Sequence, residues 1–325
     1  MATFFWNRII AGLAEGQRLS ADDAQWAMSQ ILGGETPAED IKSFLLGVQA
    51  RGETSIEVDA FLTAMLAQSA PISVPGLVAD CVGTGGDGAN TINISTTAAI
   101  VAHASGVRIV KHGTRASKSD SGAADVLEAL GININLDGRQ VADCVEDLGI
   151  GFCFTPLFHP SLRFADQARK ELGQASLFNI LGSWANPAKP GAVAIGVSQP
   201  RMLTLMADVL LKRDVQGFLF RGDDGLDEIS LSTTTTIIQI NHGKEKIAVF
   251  DPRSLGIEYA PVESLRGGNP SVNAAIIRRI LEGENIPSRE IVLLNAAQPL
   301  PLIEVTSGNL SKPNLQKDTQ MLRRQ

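Results

Sequence analysis

The sequence predicts an α/β protein in two parts: an N-terminal helical domain, then a larger α/β domain with a mostly parallel central sheet. Three observations carry this. Residues 1–70 show helical periodicity and helix caps with no strand pattern. From residue 78 onward, short β-prone runs alternate with helical stretches, as parallel strands covered by helices do. Between the first such run and its helix lies a glycine-rich loop, Gly83-Thr-Gly-Gly-Asp-Gly88. The expected domains are residues 1–71 and 72–325.

The N-terminal part opens with an amphipathic stretch around Trp6–Leu13. Ser20 is placed to cap a helix whose Ala24, Ala27, Met28, Ile31 and Leu32 share one face, with Gly33 at its end. Thr36-Pro-Ala-Glu39 reads as a capping box with proline at the first helical position. Ile41, Phe44, Leu45 and Val48 follow at helical spacing, and Gly52 stops the run. Thr54 and Glu57 repeat the box ahead of Val58, Phe61, Leu62 and Met65. Helices this short carry more apolar face than they can bury among themselves. They must pack on the rest of the chain or on a second subunit.

Strand-like runs then fall at Val78–Val82, Val107–Val110, Gly151–Phe154, Ala192–Val197, Gly217–Phe220, Thr235–Ile240 and Ile247–Phe250. Helical stretches lie near Thr96–Ala104, Ala123–Leu130, Gln140–Leu148 and Met202–Leu211. Ligands of such sheets bind outside the carboxyl ends of the strands. Residues 78–97 and 111–122 both reach that edge.

Gly83, Gly85, Gly86 and Gly88 let the backbone approach a ligand closely, so several N–H groups converge on one anion. A helix beginning at Ser95 or Thr96 adds orphan N–H donors and a positive dipole end. The combination reads as a phosphate or pyrophosphate cradle. A glycine cluster alone is usually an ordinary turn; here strand, loop and capped helix occur together.

A second anion loop, Lys111-His-Gly-Thr-Arg-Ala-Ser-Lys-Ser-Asp-Ser-Gly122, follows the second strand. Arg108, Lys111, His112, Arg115 and Lys118 form the densest positive cluster of the chain, interleaved with Ser117, Ser119 and Ser121 as hydroxyl donors. Farther on, Asp227 and Glu228 stand past the strand ending at Phe220. Paired carboxylates at a strand–loop junction suit a hard cation such as Mg2+, which takes one or two carboxylates and leaves its other positions to water and phosphate. Such a pair is uninformative alone and gains weight only beside two anion loops.

Composition narrows the classes of function. The 325 residues are 44% hydrophobic and 19% charged, which describes a soluble globular protein. A net charge of −7 argues against nucleic acid or an anionic membrane as partner. No apolar run approaches the ~18 residues a membrane-spanning helix needs, and the start Met-Ala-Thr-Phe-Phe-Trp lacks the form of a secretory signal. Cys81, Cys144 and Cys153, an odd and widely spaced set, read as free thiols of a cytoplasmic protein.

Several blocks together resemble the anthranilate phosphoribosyltransferase family: Gly83-Thr-Gly-Gly-Asp87, Asn93-Ile-Ser-Thr96, Lys111-His-Gly113, Ser121-Gly-Ala-Ala-Asp125, Phe158-His-Pro160, Arg169-Lys-Glu-Leu-Gly173, Asn186-Pro-Ala188 and Gly225-Leu-Asp-Glu228. The likeness runs from about the second helix to near residue 297. It implies a nucleoside-phosphorylase-type fold, with residues from about 161–182 joining the N-terminal helices, and a homodimer formed through those helices. It also implies phosphoribosyl pyrophosphate as donor, an aromatic acceptor and Mg2+. Gly83, Thr84, Gly85, Gly86, Asp87, Thr91, Asn93, Ser95 and Thr96 would meet the pyrophosphate and ribose phosphate. Ser95, Asp227 and Glu228 would organise Mg2+, and Lys111 would meet a phosphate oxygen. His112, Gly113 and Arg169 would face the acceptor, with Arg169 pairing its carboxylate and His112 a candidate general base. Thr114, Arg115, Ser117, Lys118 and Ser119 complete the implied site.

Departures from the family pattern bear on the acceptor. Thr114 stands where the family usually has Asn, Lys118 where it has Ser, and Ser183-Trp-Ala where Pro-Leu is usual. Pro299 and Pro301 interrupt what the family continues as an Ala-rich helix. Two alternatives use the same residues: a different aromatic acceptor, motivated by Thr114, and a non-catalytic ligand- or nucleic-acid-binding protein on the same fold.

Overall fold

The computed structural model describes residues 2–116, 119–173 and 176–298. Helices α1 (Ala2–Ala14), α2 (Ala21–Gly33), α3 (Ala38–Arg51) and α4 (Ser55–Ala67) come first. Next are β1 (Ala79–Gly83), α5 (Ile94–Ala104), β2 (Ile109–Gly113), α6 (Ala123–Ala129), α7 (Gly138–Leu148) and β3 (Ile150–Phe154). Helices α8 (Thr155–Phe158), α9 (Asp166–Leu172) and α10 (Leu177–Trp184) lead to β4 (Ala192–Gly196), α11 (Pro200–Lys212) and β5 (Gln216–Gly222). A hairpin, β6 (Thr235–Asn241) and β7 (Lys244–Phe250), precedes α12 (Pro270–Leu281) and α13 (Pro287–Ala296). No described helix is long and apolar enough to cross a membrane.

The chain divides into two compact units, Met1–Pro71 with Thr155–Pro187, and Ile72–Phe154 with Ala188–Gln325. In the first, the apolar faces read from helical spacing meet as a core. Trp6, Phe44 and Phe61 stack edge-on, with ring centroids 5.8 and 5.7 Å apart. The surplus apolar face is covered partly by the returning segment: α9 packs on α3, α10 packs on α4, and the Ala70 amide donates to the Phe158 carbonyl at 2.7 Å.

The caps divide. Ser20 accepts from the Asp23 amide at 3.1 Å and the Thr54–Glu57 box forms, both as expected. The Thr36 box does not form. Pro37 itself takes the cap position, so Glu39 stands one residue too early to reach back, and the buried Thr36 hydroxyl has no partner. Glu57 does more than cap. Fully buried, it accepts from Arg51 Nη1 at 2.9 Å and from the Leu19 amide at 2.7 Å. Burial pushes this carboxyl's pKa up, but the Arg51, Leu19 and Thr54 donors outweigh it and hold it below the ordinary value.

In the second unit the described strands form one sheet in the order β3-β2-β1-β4-β5-β6-β7. β1 to β5 are parallel and β6 and β7 antiparallel, so the sheet is mostly parallel as predicted. Strand order reverses between β1 and β4, which makes their carboxyl ends the switch point where ligands of such sheets bind. Alanines at 79, 98, 99, 102, 192 and 194 sit in a core with Phe218, Phe220 and Leu294, so helices approach the sheet closely. α12 and α13, unread in the sequence, follow Pro270 and Pro287 at their first turns, and α13 packs on α5.

One strand boundary matters for function. β2 runs to Gly113, three residues beyond the apolar run, because its ladder with β3 continues through Lys111↔Phe152 and His112↔Cys153. Lys111 and His112 are therefore strand residues, 4% and 1% exposed, and do not lie in the loop after it. Pro299, Pro301 and the rest of the tail lie outside the described residues.

Candidate active site

The site grows from the carboxyl ends of β1 and β4. The Thr84 amide continues the ladder to the Gly196 carbonyl at 3.0 Å, and the Thr84 hydroxyl accepts from the Ser198 amide at 3.1 Å. Ser198 Oγ donates to the Gly85 carbonyl at 2.7 Å, and the Ser198 carbonyl accepts from Arg221 Nε at 2.9 Å. Past this anchor Gly85, Gly86 and Gly88 take φ of 69°, 83° and 75°, a turn that side chains resist. The Asp87 carboxylate folds back onto the Ala89 amide at 3.1 Å. The loop's far side is pinned by a short antiparallel pairing: Gly267 amide to Asn90 carbonyl at 2.9 Å, Ile92 amide to Leu265 carbonyl at 3.0 Å, with Thr91 bridged to Arg266.

The Asp227–Glu228 pair lies across the strand ends. Asp227 Oδ2 accepts from the Gly85 amide at 2.5 Å, and Glu228 Oε1 accepts from the Ser95 amide in the first turn of α5 at 3.1 Å. Close approach is possible because Gly83 and Gly196 lack side chains. A Cβ on Gly83 would lie 2.4 Å from Asp227 Oδ2, and one on Gly196 1.6 Å from the Asp227 carbonyl oxygen. The pair is braced on both sides. Asp224 accepts from the Leu226 amide at 3.1 Å and from Ser230 Oγ at 2.5 Å, while Asn295 of α13 accepts from the Ile229 amide at 2.9 Å. A small cavity beside Glu228 is lined by Cys81, Ser95, Phe220 and Asn295 among others.

Electrostatics set these carboxylates apart. Both are 7% exposed. Burial pushes the Asp227 pKa up, and the Asp87 charge adds to that, while the Gly85 amide opposes. Glu228 is raised well above the carboxylate range by burial and by Asp227, with the Lys111 charge pulling the other way. Lys111 Nζ itself donates to the Cys81 carbonyl, and burial pushes the Cys81 thiol up to about 12, so that thiol is no nucleophile. Burial and mutual repulsion thus disfavour the charged carboxylates, which a bound cation would stabilise.

Gly83, Thr84, Gly85, Asp87, Ser95, Lys111, Asp227 and Glu228 thus gather at one edge, with Gly86, Thr91, Asn93 and Thr96 in the same loop and helix start. The positive cluster does not gather as read. Arg108 precedes β2 at the opposite edge of the sheet, donating to the Pro75 carbonyl at 2.6 Å. Arg115 turns back on α6, pairing with Asp125 at 2.9 Å and Glu128 at 2.5 Å and lying over the Phe154 ring. Two nearby carboxylates thus already engage the guanidinium that the sequence reading assigned to the anion site. Gly113 ends β2 with Ala123 and Phe152 close by. Thr114 and Ser119 are exposed, and Ser117 and Lys118 lie outside the described residues. Arg169 belongs to the first unit, in the last turn of α9, 3.6 Å from Asp166 and over the Phe178 ring. Sequence reasoning missed Gly196, Ser198, Asp224, Asn273 and Asn295. Of these, Gly196, a glycine inside a β-run, and Asp224, in the acidic stretch that holds Asp227 and Glu228, carried a visible signal.

A doubly wound sheet with a glycine cradle and two buried carboxylates at its switch point defines an anion-and-cation site of the kind that handles phosphorylated substrates. Residues 76–319 match the glycosyl transferase family a/b domain, and residues 7–69 the glycosyl transferase family helical bundle domain. The anthranilate phosphoribosyltransferase of Rhodococcus opacus (strain B4) is 46% identical over 95% of this chain and 86% of its own length, and that of Rhodococcus jostii (strain RHA1) 47% over 93% and 84%. Among solved structures, the anthranilate phosphoribosyltransferase from Thermus thermophilus superposes with a TM-score of 0.89 at 34% identity, covering 97% of this chain and 93% of that one. The Saccharomyces cerevisiae enzyme in complex with PRPP and Mg gives 0.87 at 27% identity, covering 98% and 92%. The chain belongs to the anthranilate phosphoribosyltransferase family of glycosyl transferases and is an enzyme of that type.

Proposed function

We propose that the protein transfers the phosphoribosyl group of phosphoribosyl pyrophosphate to the amine of anthranilate, releasing pyrophosphate, as a step of tryptophan biosynthesis in the cytoplasm. One observation carries the reading most: a buried carboxylate pair held against a glycine-rich anion loop by Gly83 and Gly196. Two buried carboxylates, only one of which the Lys111 charge offsets, fit Mg2+, so Asp227 and Glu228, with the Ser95 hydroxyl, would hold it. When bound, the ion would neutralise charge developing on the departing pyrophosphate.

The chain's own groups do the rest. The 86–88 amides and the Lys111 charge bind the pyrophosphate and stabilise it as the bond from the ribose anomeric carbon breaks, its electron pair leaving with the phosphate oxygen. Thr91, Asn93, Thr96 and Ser119 hold phosphate oxygens of the donor, and Gly113 and Thr114 border the acceptor. The family resemblance assigns the acceptor's carboxylate to Arg169, and catalysis is by position and electrostatics without a protein nucleophile. At 1% exposure within β2, His112 is assigned to orientation and not to proton transfer. Homodimerisation through the N-terminal helices accompanies this reading.

Pyrophosphate release by the pure protein, with phosphoribosyl pyrophosphate, Mg2+ and anthranilate, tests it directly; no turnover would overturn it. A second reading keeps the donor and changes the acceptor. Thr114, exposed just past β2, supports it by lacking the amide that the family pattern has there. An aromatic-amine panel separates the two, and a strong gain in anthranilate turnover for Thr114→Asn would favour the second.

A further inference from the structure

Residues 265–273 form a third wall of the loop, and Asn273 fastens it. Asn273 is 1% exposed. Its Oδ1 accepts from the Gly268 amide at 2.8 Å, which fixes its orientation and turns Nδ2 toward Asn93 Oδ1 at 2.9 Å. Asn93 Nδ2 donates to the Ser121 carbonyl at 2.9 Å, so the Asn93 amide is also fixed, and its Oδ1 accepts a second bond from Ser121 Oγ at 3.2 Å. Counting donors and acceptors, Asn93 Oδ1 is filled by Ser121 and Asn273, and one Nδ2 proton remains. Asn93 can therefore donate to a ligand but cannot accept from one. Gly267 is needed for this arrangement, since a Cβ there would lie 2.5 Å from Asn273 Oδ1 and 2.9 Å from the Thr91 carbonyl oxygen.

We propose that Asn273 is a positioning residue for donor binding: it ties the α12 end to Asn93, locks the first anion loop to the second at Ser121, and presents the remaining Asn93 N–H to an acceptor oxygen of the phosphoribosyl donor. This rests on the donor assignment made above. The clasp joins three segments distant in sequence, so both loops hold their spacing before ligand arrives.

Asn273→Asp tests it, because the carboxylate still accepts from Gly268 but sets an oxygen against Asn93 Oδ1. The expected result is about a tenfold rise in Kd and KM for phosphoribosyl pyrophosphate with Mg2+, the scale of one lost hydrogen bond beside a buried acceptor. The anthranilate KM stays within about twofold, because the acceptor contacts are untouched. Asn273→Ala, should the Asp variant not fold, makes the same prediction. In an Asn93→Ala background either change has no further effect on donor affinity. Unchanged donor affinity, equal changes in both KM values, or additivity with Asn93→Ala would overturn the clasp. Calorimetry on the unaltered protein separates the two levels: if it fails to bind phosphoribosyl pyrophosphate, the donor assignment itself is wrong.

Discussion

Gly196→Ala adds one methyl group in the middle of the sheet, and its consequence can be worked from distances. Gly196 pairs with Gly83 on one side and Phe220 on the other, so β4 cannot retreat without breaking two ladders. The new Cβ would stand 1.6 Å from the Asp227 carbonyl oxygen and 2.4 Å from its carbonyl carbon. To reach even 3.0 Å, the Asp227–Glu228 backbone must move by about 1.4 Å, and backbone cannot swing aside as a side chain can. That shift breaks the Gly85–Asp227 and Ser95–Glu228 hydrogen bonds.

Misplacement by about 1 Å costs on the order of 100-fold in rate, so kcat/KM for pyrophosphate release should fall at least that far, and the Mg2+ concentration needed for half activity should rise. Overpacking costs about 1–3 kcal/mol, which for a domain of this size lowers Tm by roughly 2–12 °C, so the protein stays folded while activity collapses. Gly191→Ala is the control, because just before the same strand its Cβ would meet only the tip of Leu77 at 2.7 Å. Wild-type kcat/KM and Mg2+ requirement in Gly196→Ala, or equal damage from Gly191→Ala, would refute the argument.

Other outcomes follow from the same geometry. Asn295→Ala removes the clamp on the Ile229 backbone and should weaken Mg2+ activation several-fold with the acceptor KM unmoved, read from Mg2+ titrations of turnover. Glu57→Gln leaves the buried Arg51 charge unpaired and should cost about 3–5 kcal/mol in denaturant melts. Because donors hold the Glu57 pKa below its unfolded value, that contribution is present at neutral pH and lost as pH falls through the acid range. For Asp227 and Glu228 the sign is opposite. Their raised pKa values mean that metal-free stability is lost as pH rises above the ordinary carboxylate range, so stabilisation by Mg2+ in thermal melts should be larger at pH 8 than at pH 6. Arg115→Ala should leave donor KM within about twofold, because its guanidinium is spent on Asp125 and Glu128.

What the sequence made legible was local, and the reason is physical. The Thr54–Glu57 cap, the Ser20 cap, the apolar faces of α2 to α4 and the glycine turn at 85–88 are each decided within four residues, where spacing alone determines contact. The Thr36 box failed within the same range because Pro37 competed for the cap position, a conflict between two local rules that only the backbone resolves. Arg108 and Arg115 point away from one another for a different reason. Their charge was visible, but whether a loop carbonyl or a nearby carboxylate would claim it was not.

The centre of the site was half legible. Gly83 and Gly85 were read as parts of a glycine-rich turn, yet Gly83 also leaves room for Asp227 and the Gly85 amide bonds it, 142 residues away, and nothing in a loop's own sequence announces that. Asn273 and Asn295 were invisible because an asparagine in a helix is ordinary until its partners are known, and those partners are Asn93, 180 residues away, and Ile229, 66 away. Long-range polar contacts of this kind carry no periodicity. They arise where a doubly wound sheet reverses its order, since that is where segments from distant parts of the chain meet at one edge. The residues hardest to read are therefore those that hold the readable ones in place: Asp227 fits only where Gly196 leaves room, and the Asn93 amide can only donate to a ligand because Asn273 and Ser121 fill its oxygen.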